Sequence, residues 1–479
     1  MSDDIKQRAL SGLFWAMLQN WSGKGLGLLL FLILARLLTP TQLGVAAAIN
    51  VVIVLVSLIA EQGFSDAIVQ RRNLKDEDIN LPFYSSLLIS SVLALVVVLL
   101  SSRIEQWMNV PGLAPLLSVA TASLPLAAMT MFQEAIYRRK LLFRQVAIRM
   151  LVNSTIAGIV AIGCAYAGMG SWSLVVQALV MNALNVLWLW HKPLWRPTRD
   201  LNPGSYGEIA RFSGSVLASR VLDVIGTRSI DLLIAALHGP AALGLYAVGS
   251  RIFQTMMQLL SASVTNVSLG ALSLMALDLS RLQRAYLKTI AASAAVAVPA
   301  FVAVAAVSPE LIIVLFGKKW ADSGHVMTVL MVLGALQCVQ FANGPTFGAL
   351  GRPHYLAWLA LLKAATAILA MWLVPTDNVV ELTVVYAVSQ LVATPLTFAL
   401  LMRCLHLGFG AIAKQMLPFY FAAGLAFAAV YAMRIWLMGT VGLIAQLSIL
   451  LLVYACAYVL AALMFGLSQL RQLWLIFRK

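Results

Sequence analysis

Several charged side chains lie inside long apolar segments of this sequence, where a charge is costly. A charge at the centre of a membrane helix costs about 2.5–3.5 kcal/mol on insertion scales, so such groups usually face a bundle interior or water. The cations suit an anionic head group such as a phosphate. We expect a substrate-binding set of Lys24, Arg220, Arg251 and Lys363. We expect a second set to line the cavity or couple transport to an ion: Glu61, Glu134, Asp223, Arg228 and Asp231.

Several of these assignments have alternatives that the sequence leaves open. Arg220 with Asp223, and Arg228 with Asp231, have the i,i+3 spacing of a purely structural salt bridge on one helix face. Lys24 has no acid three or four residues away, so it either faces a hydrated cavity or extends toward a membrane surface. The spacing alone does not choose between these roles.

Enzyme motifs are not found in the sequence. There is no G-x-x-x-x-G-K-[ST], no H-E-x-x-H and no G-x-S-x-G, and the five histidines occur singly. The four cysteines are far apart and form no C-x-x-C pattern. We therefore expect a protein that is not an enzyme and that has no cofactor and no metal site.

The composition predicts a multi-pass membrane protein. Hydrophobic residues make up 61% of the chain and charged residues only 11%, whereas about 25% is usual in soluble domains. The net charge of +15 comes from cations in short loops between apolar runs, which a membrane topology explains better than nucleic-acid binding. No soluble domain is expected.

Hydropathy predicts an all-α integral membrane fold with about 14 transmembrane helices. The predicted helices cover roughly residues 11–37, 42–64, 80–101, 114–136, 146–167, 171–191, 211–238, 241–268, 286–316, 324–348, 354–374, 379–402, 415–437 and 440–466. On this count, 23 of the 33 Lys and Arg residues, Arg138 and Arg149 among them, lie on the side of the N-terminus and five on the other. Because cations concentrate in cytoplasmic loops, both termini are predicted to be cytoplasmic.

An internal repeat divides the chain. Residues 34–48 and 234–248 align without a gap and share six identities, which include Pro40 with Pro240 and Gly44 with Gly244. The repeat predicts two pseudo-symmetric lobes of six helices with a site between them. The expected divisions are an N-lobe at 1–200 (helices 1–6), a C-lobe at 201–402 (helices 7–12) and two C-terminal helices with a tail at 403–479. The proline-rich segment 192–210 is the expected linker between the lobes.

Three stretches carry a family resemblance. Residues 34–44 contain L-A-R-L-L-T-P followed by polar residues and a glycine, and residues 61–71 read E-Q-G-F-S-D-A-I-V-Q-R. A later basic stretch, residues 135–144, reads A-I-Y-R-R-K-L-L-F-R. This pattern resembles the polysaccharide transporter family, the Wzx-type oligosaccharide flippases of the multidrug/oligosaccharidyl-lipid/polysaccharide (MOP) exporter superfamily.

The resemblance implies a function and partners. It implies two six-helix lobes of the MOP exporter fold that carry an undecaprenyl-pyrophosphate-linked oligosaccharide across the bacterial inner membrane by alternating access through a central cationic cavity. The product would serve exopolysaccharide, capsule or O-antigen synthesis. Expected partners are the lipid-linked oligosaccharide, membrane lipids, the polysaccharide polymerase and export machinery, and a coupling ion, H+ or Na+. Nucleic acid is not an expected partner.

Two other functions remain alternatives at this stage. A drug or organic-cation exporter of the same superfamily would share the fold, although cavity cations would repel its substrates. An integral-membrane glycosyltransferase or polysaccharide polymerase would need a catalytic carboxylate cluster outside the membrane, where this sequence has only scattered acids in short loops.

Overall fold

The computed structural model describes residues 23–61, 63–71, 74–201, 203–275, 278–352, 354–437 and 441–465, and these residues form helices joined by short turns. The helix α1 covers residues 23–37. The following helices are α2 (Pro40–Glu61), α3 (Phe64–Gln70), α4 (Glu77–Met108), α5 (Leu113–Ala120), α6 (Ser123–Arg139), α7 (Phe143–Tyr166), α8 (Trp172–His191), α9 (Pro203–Leu274), α10 (Leu279–Phe316), α11 (Ala321–Gln337), α12 (Asn343–Ala349), α13 (His354–Leu373), α14 (Val379–Leu405), α15 (Phe409–Leu437) and α16 (Leu443–Phe465). The predicted all-α class is therefore confirmed.

Twelve helical segments in the described part of the chain are long and apolar enough to cross a membrane. One of them, Val224–Thr265, covers the predicted helices seven and eight, because α9 continues through a single non-helical residue, Gly239, at φ 77° and ψ −176°. Residues 1–22, which include the start of the predicted first helix, lie outside the described residues. The count of fourteen crossings stays a prediction.

Two of the prolines that the sequence places inside helices instead begin new ones. Pro125 is the third residue of α6, and Pro345 is the third residue of α12. A proline is tolerated in the first turn of a helix because the N–H that it lacks has no partner there. The breaks that precede these helices thus occur where proline interrupts the hydrogen-bond ladder.

The chain divides into two compact units, Met1–Gly244 and Leu245–Lys479. This boundary falls within α9, one predicted helix later than the expected lobe boundary at 200/201. The division into two six-helix lobes and a C-terminal pair stays a prediction.

In the first unit, the two copies of the repeated hairpin lie against each other. A Cβ atom added to Gly44 would overlap the carbonyl oxygen of Pro240, and one added to Gly244 would overlap the carbonyl oxygen of Pro40. The contact is reciprocal, because each glycine makes room for the backbone at the start of the other copy's second helix. The identity of Gly44 with Gly244 therefore has a packing cause.

In the second unit, an ion pair ties the C-terminal helices to α10. Arg434 of α15 places Nε 2.8 Å from one oxygen of Glu310, and its Nη2 donates to the other oxygen at 2.8 Å. Gln446 of α16 lies 3.4 Å from the same carboxylate. Glu310 is 8% exposed and Arg434 is 19% exposed, so the pair lies largely inside the helix bundle. The two C-terminal helices are therefore fixed to the second unit by polar as well as apolar contacts.

Candidate functional site

A cluster of six charged side chains in the first unit includes three of the predicted site residues. Its members, named here the charge cluster, are Glu61, Asp66, Glu134, Arg138, Arg149 and Arg220. Three carboxylates and three guanidinium groups balance each other. Four helices besides α3 supply them, namely α2, α6, α7 and α9.

The short helix α3 presents Asp66 to this cluster. Gly63 precedes α3 with φ 72°, a left-handed conformation that turns the chain sharply after α2. Phe64, Ala67 and Ile68 then point inward and pack with side chains of α4 and α6 in one apolar core. Asp66, at an outward position of the same helix, is free to reach across to α9. In the motif G-F-S-D-A-I, the glycine turns the chain, the apolar residues anchor α3 in the core, and the aspartate supplies one carboxylate to the charge cluster.

Asp66 binds Arg220. The Arg220 Nη2 atom donates to Oδ2 of Asp66 at 2.6 Å, and Nη1 lies 3.9 Å from Oε2 of Glu61. Arg220 is 42% exposed and Asp66 33% exposed. The i,i+3 spacing left open a salt bridge between Arg220 and Asp223, whose side chain lies outside the described residues. The described partner instead comes from a position 154 residues away, which no local pattern reveals.

The end of α6 holds α3 in place. The Arg139 guanidinium donates to the backbone carbonyls of Ile68 at 2.8 Å and of Arg71 just beyond α3. A cation at the carbonyl end of a helix also interacts favourably with the helix dipole. Two of the three family motifs, residues 61–71 and 135–144, therefore pack against each other.

Glu134 lies between two arginines with different surroundings. Its Oε1 accepts from Nη2 of Arg138 at 2.6 Å, and its Oε2 accepts from Nη2 of Arg149 at 2.8 Å. Arg138 is 52% exposed, whereas Arg149 is 5% exposed and has Nε and Nη1 buried without a hydrogen-bond partner. The carboxylates of Glu61 and Glu134 are close enough to repel each other. The ion pairs around Arg220 and those around Glu134 therefore belong to one cluster. The i,i+4 spacing of Glu134 and Arg138 could have revealed the exposed pair, but no local pattern reveals the buried one.

The segment after α8, expected to be a linker, is bound to the first unit. Trp195 is 4% exposed within the apolar core of α3, α4 and α6, and its indole N–H donates to the carbonyl of Asp76. The fully buried Gln133 donates to the carbonyl of Trp195 at 2.6 Å and accepts from the N–H of Leu194 at 3.2 Å. The sequence did not predict this docking, because proline and arginine are also common in loops.

Asn80 of α4 binds the next part of the same segment. Its side chain donates to Thr198 Oγ1 at 2.7 Å and to the carbonyl of Asp200 at 2.8 Å, and it accepts from the N–H of Thr198 at 3.1 Å. Asn80 is 1% exposed. The buried Asn80 amide directs all three of these hydrogen bonds to the segment around Thr198 and Asp200, and it therefore fixes that segment against α4.

Replacing Asn80 with alanine is expected to release this loop. Three hydrogen bonds are lost, and the opening equilibrium should rise roughly tenfold. Limited trypsin cleavage after Arg199, which is exposed, measures this opening, since proteolysis follows the open population. Asn182→Ala is the control, because Asn182 is only half-buried and its described hydrogen bond goes to Ala178 of its own helix. Equal cleavage rates in the two variants would show that Asn80 does not hold the loop.

Arg228 and Asp231 form the salt bridge that their spacing allows, with Nη1 3.1 Å from Oδ2. Asp231 is 7% exposed, and Arg228 is 33% exposed. Within the described residues, Arg228 and Asp231 neutralise each other's charge. This agrees with the alternative that the two residues form a purely structural salt bridge. A coupling role for Asp231 stays a prediction.

In the second unit, Lys363 lies midway along α13 and has an amide as its hydrogen-bond partner. Its Nζ lies 3.3 Å from Oε1 of Gln340, whose Nε2 donates to Thr394 at 3.0 Å. Gln340 ends a 3-10 turn, Cys338–Gln340, that interrupts the membrane span Lys318–Ala349. Among the described residues, no carboxylate lies within ion-pairing distance of Lys363.

Lys24 and Arg251 are half-buried, Lys24 on α1 in the first unit and Arg251 on α9 in the second. Lys24 makes no ion pair within the described part of the chain. The described residues contain no group of three or more His, Cys, Asp or Glu that could hold a metal ion. The substrate-binding roles of Lys24, Arg251 and Lys363 stay predictions.

Sequence comparisons relate the chain to proteins of polysaccharide synthesis. A family model described as polysaccharide biosynthesis protein matches residues 33–325, more than half of the chain. The succinoglycan biosynthesis transport protein ExoT of Rhizobium meliloti is 23% identical over 352 residues, which cover 73% of this chain and 71% of that protein. The lipopolysaccharide biosynthesis protein WzxC of Escherichia coli is 24% identical over 343 residues, which cover 70% of this chain and 68% of that protein.

Solved structures share the fold. The lipid II flippase MurJ in an inward closed conformation aligns with a TM-score of 0.77 at 12% identity, over 96% of this chain and 100% of that one. An inward-facing multidrug resistance MATE family transporter of the MOP superfamily aligns with a TM-score of 0.63 at 16% identity, over 80% of this chain and 94% of that one. Identities this low establish the fold alone. The predicted MOP exporter fold is confirmed.

Proposed function

Because this chain belongs to the polysaccharide biosynthesis protein family, we propose that it is a flippase for a lipid-linked oligosaccharide. Its cargo is a repeat unit on undecaprenyl pyrophosphate, which it moves to the periplasmic leaflet of a bacterial inner membrane by alternating access through a cationic cavity. Exopolysaccharide, capsule or O-antigen synthesis would use the product. Relatives named for succinoglycan transport and lipopolysaccharide biosynthesis support this class of cargo. The fold shared with a lipid II flippase is consistent with it.

The observation that carries the proposal is the position of Lys363. A cation inside a membrane-spanning helix is costly unless an anion compensates it, and the described partner of Lys363 is a neutral amide. An ammonium has three donors, so Lys363 can bind further acceptors. A pyrophosphate or an acidic sugar supplies both the charge and the acceptors. Lys24, which has no described ion pair, fits the same role in the first unit.

A drug or organic-cation exporter is the second candidate, because the MATE transporter shares the fold. Lys24 and Lys363 disfavour this function, since uncompensated cations repel a cationic substrate. Drug resistance on overexpression would support the exporter.

A coupling ion, H+ or Na+, and contact with the polysaccharide polymerase and export machinery belong to the same proposal. Glu61 and Glu134 are the acids best placed for coupling, because both belong to a cluster with exposed members. Both termini are proposed to be cytoplasmic, which places the charge cluster at the cytoplasmic ends of its helices.

Replacing Lys24 or Lys363 with methionine is expected to abolish transport without preventing membrane insertion. In a deletion strain, each variant should lower polysaccharide output at least tenfold and leave the lipid-linked unit in the inner leaflet, since the cation that compensates the anionic cargo is lost. The measurement is polysaccharide yield together with lipid-linked intermediate, at matched protein levels.

Lys140→Met is the matched control, because Lys140 is exposed between α6 and α7 and should tolerate the change. Normal output from both interior variants, with no accumulated intermediate, would rule out the cationic site. Loss in all three variants would point to a defect in insertion.

A further inference from the structure

The salt bridge between Asp66 and Arg220 differs in exposure from the other cross-helix ion pairs. Arg149 with Glu134 and Arg434 with Glu310 each have one member that is at least nine-tenths buried. Arg220 and Asp66 are 42% and 33% exposed, although the pair joins α9 to α3 at 2.6 Å. A ligand can therefore reach both members of this pair, whereas Arg149 and Glu310 are almost completely buried.

We propose that Asp66 is an internal anion that occupies Arg220 in the substrate-free protein and yields it to a phosphate group of the lipid-linked cargo. This inference rests on the proposed function. Asp66 is then a positioning residue for Arg220, which is the residue that contacts the cargo.

Among the described residues, the two acids near Arg220 leave part of its hydrogen-bonding capacity unused. One carboxylate oxygen of Asp66 accepts from one nitrogen, Nη2, whereas a guanidinium has five N–H donors in a planar fork. Glu61 is 3.9 Å from Nη1, too distant for a hydrogen bond. A phosphate can accept two parallel N–H bonds from the fork and carries more charge than a carboxylate. Exposed ion pairs contribute little to stability, so exchanging one anion for another is not opposed by a large loss.

Asp66 cannot follow Arg220 if α9 moves. The apolar face of α3 is packed into the core by Phe64 and Ile68, both fully buried, and Arg139 holds its C-terminal carbonyls. Separation of α9 from α3 therefore breaks the salt bridge instead of carrying Asp66 along. In the protein without cargo, the salt bridge restrains α9 against α3. A phosphate bound to Arg220 replaces Asp66 and removes this restraint.

The position of the pair fits the entry of an anionic head group. The span of α2 ends at Glu61, and the span in α9 begins at Val224, so Asp66 and Arg220 lie just beyond the same ends of two spans. With the proposed topology, this is the cytoplasmic side, from which the cargo arrives. The pyrophosphate of a prenyl carrier meets Arg220 before it reaches the interior cations.

The test is binding of farnesyl pyrophosphate to the purified full-length protein. Asp66→Asn should bind it roughly three- to fivefold more tightly than the parent protein, because the competing carboxylate is gone. Arg220→Gln should bind it more weakly, and the double variant should match Arg220→Gln. Inorganic pyrophosphate distinguishes a bare phosphate site from a lipid-linked one, and farnesol reports binding by the prenyl chain alone. Asp66→Ser replaces Asp66→Asn if the latter does not elute as a single species.

Asp278→Asn is the matched control. Asp278 forms an exposed ion pair with Arg281 at 3.1 Å in the second unit, and hydrogen bonds from the Ser280 hydroxyl and the Arg281 N–H hold its pKa below the usual range. Asparagine keeps the helix cap and removes one negative charge. Its affinity for farnesyl pyrophosphate should not change.

A purely structural salt bridge predicts the opposite pattern. Asp66→Asn would then lower thermal stability and leave the affinity equal to or below that of the parent protein, which overturns the inference. If Lys363→Met still abolishes binding in that case, the proposed function stands without it. If the parent protein binds no pyrophosphate and the deletion strain accumulates no lipid-linked unit, the proposed function and the inference both fail.

Discussion

Replacing Gly44 or Gly244 with alanine is expected to destabilise the protein by about 3 kcal/mol, at the upper end of overpacking costs. The added Cβ meets the backbone carbonyl of Pro240 or Pro40, and backbone cannot rotate away as a flexible side chain can. Both substitutions should act alike because the contact is reciprocal. The thermal unfolding midpoint in detergent, with the yield of monodisperse protein, measures the effect.

Gly25→Ala and Gly424→Ala are the controls for this experiment. Both glycines are helical and have no atom within 4 Å of an added Cβ, so alanine should leave stability unchanged or slightly raised. Equal stability of the hairpin variants and these controls would show that the two hairpins are not in close contact.

Removing Glu134 is the second change with a large expected effect. Glu134→Ala leaves Arg149, at 5% exposure, without its carboxylate, and an unpaired buried charge costs roughly 3–5 kcal/mol. The double variant Glu134→Ala with Arg149→Met should regain part of that loss, because it removes the buried charge as well. Thermal unfolding of the four proteins of this cycle gives the coupling between the two residues.

Arg138→Ala tests whether burial is the cause. Arg138 binds the same carboxylate at 2.6 Å but is 52% exposed, so its removal should cost at most about 1 kcal/mol. A loss as large as that of Glu134→Ala would mean that exposure does not determine the strength of these pairs.

Hydropathy predicted the helical class and most helix positions. Long apolar runs such as Val379–Leu405 gave boundaries within a few residues of those observed. The short helix α3 and the interruption at Cys338–Gln340 were not predicted, because a hydropathy window averages over such lengths. The repeat revealed that Gly44 and Gly244 are equivalent. Their contact could not be predicted, since a repeat in the sequence does not show whether its two copies touch each other in the fold.

The candidate site was predictable only where partners are close in sequence. The spacing of Arg228 and Asp231 indicated their pairing, which the structure shows. Hydropathy placed Arg220 inside a predicted membrane helix, whereas it precedes the span that begins at Val224. Its partner Asp66 belongs to another helix, in a segment that was predicted to be a loop. Arg149 was counted among the loop cations, whereas it is buried against Glu134. Tertiary packing decides these cases.

The central claim is that this protein moves a lipid-linked oligosaccharide across the membrane, and the leaflet in which that intermediate resides tests it most directly. Spheroplasts of the deletion strain, with polymerisation blocked, would carry either the parent protein or Lys363→Met, and a lectin that cannot cross the membrane would report the intermediate in the outer leaflet. We predict outer-leaflet labelling with the parent protein and at least tenfold less with Lys363→Met, at equal total intermediate. Equal labelling with the parent protein, with the variant and without the protein would contradict the proposed function.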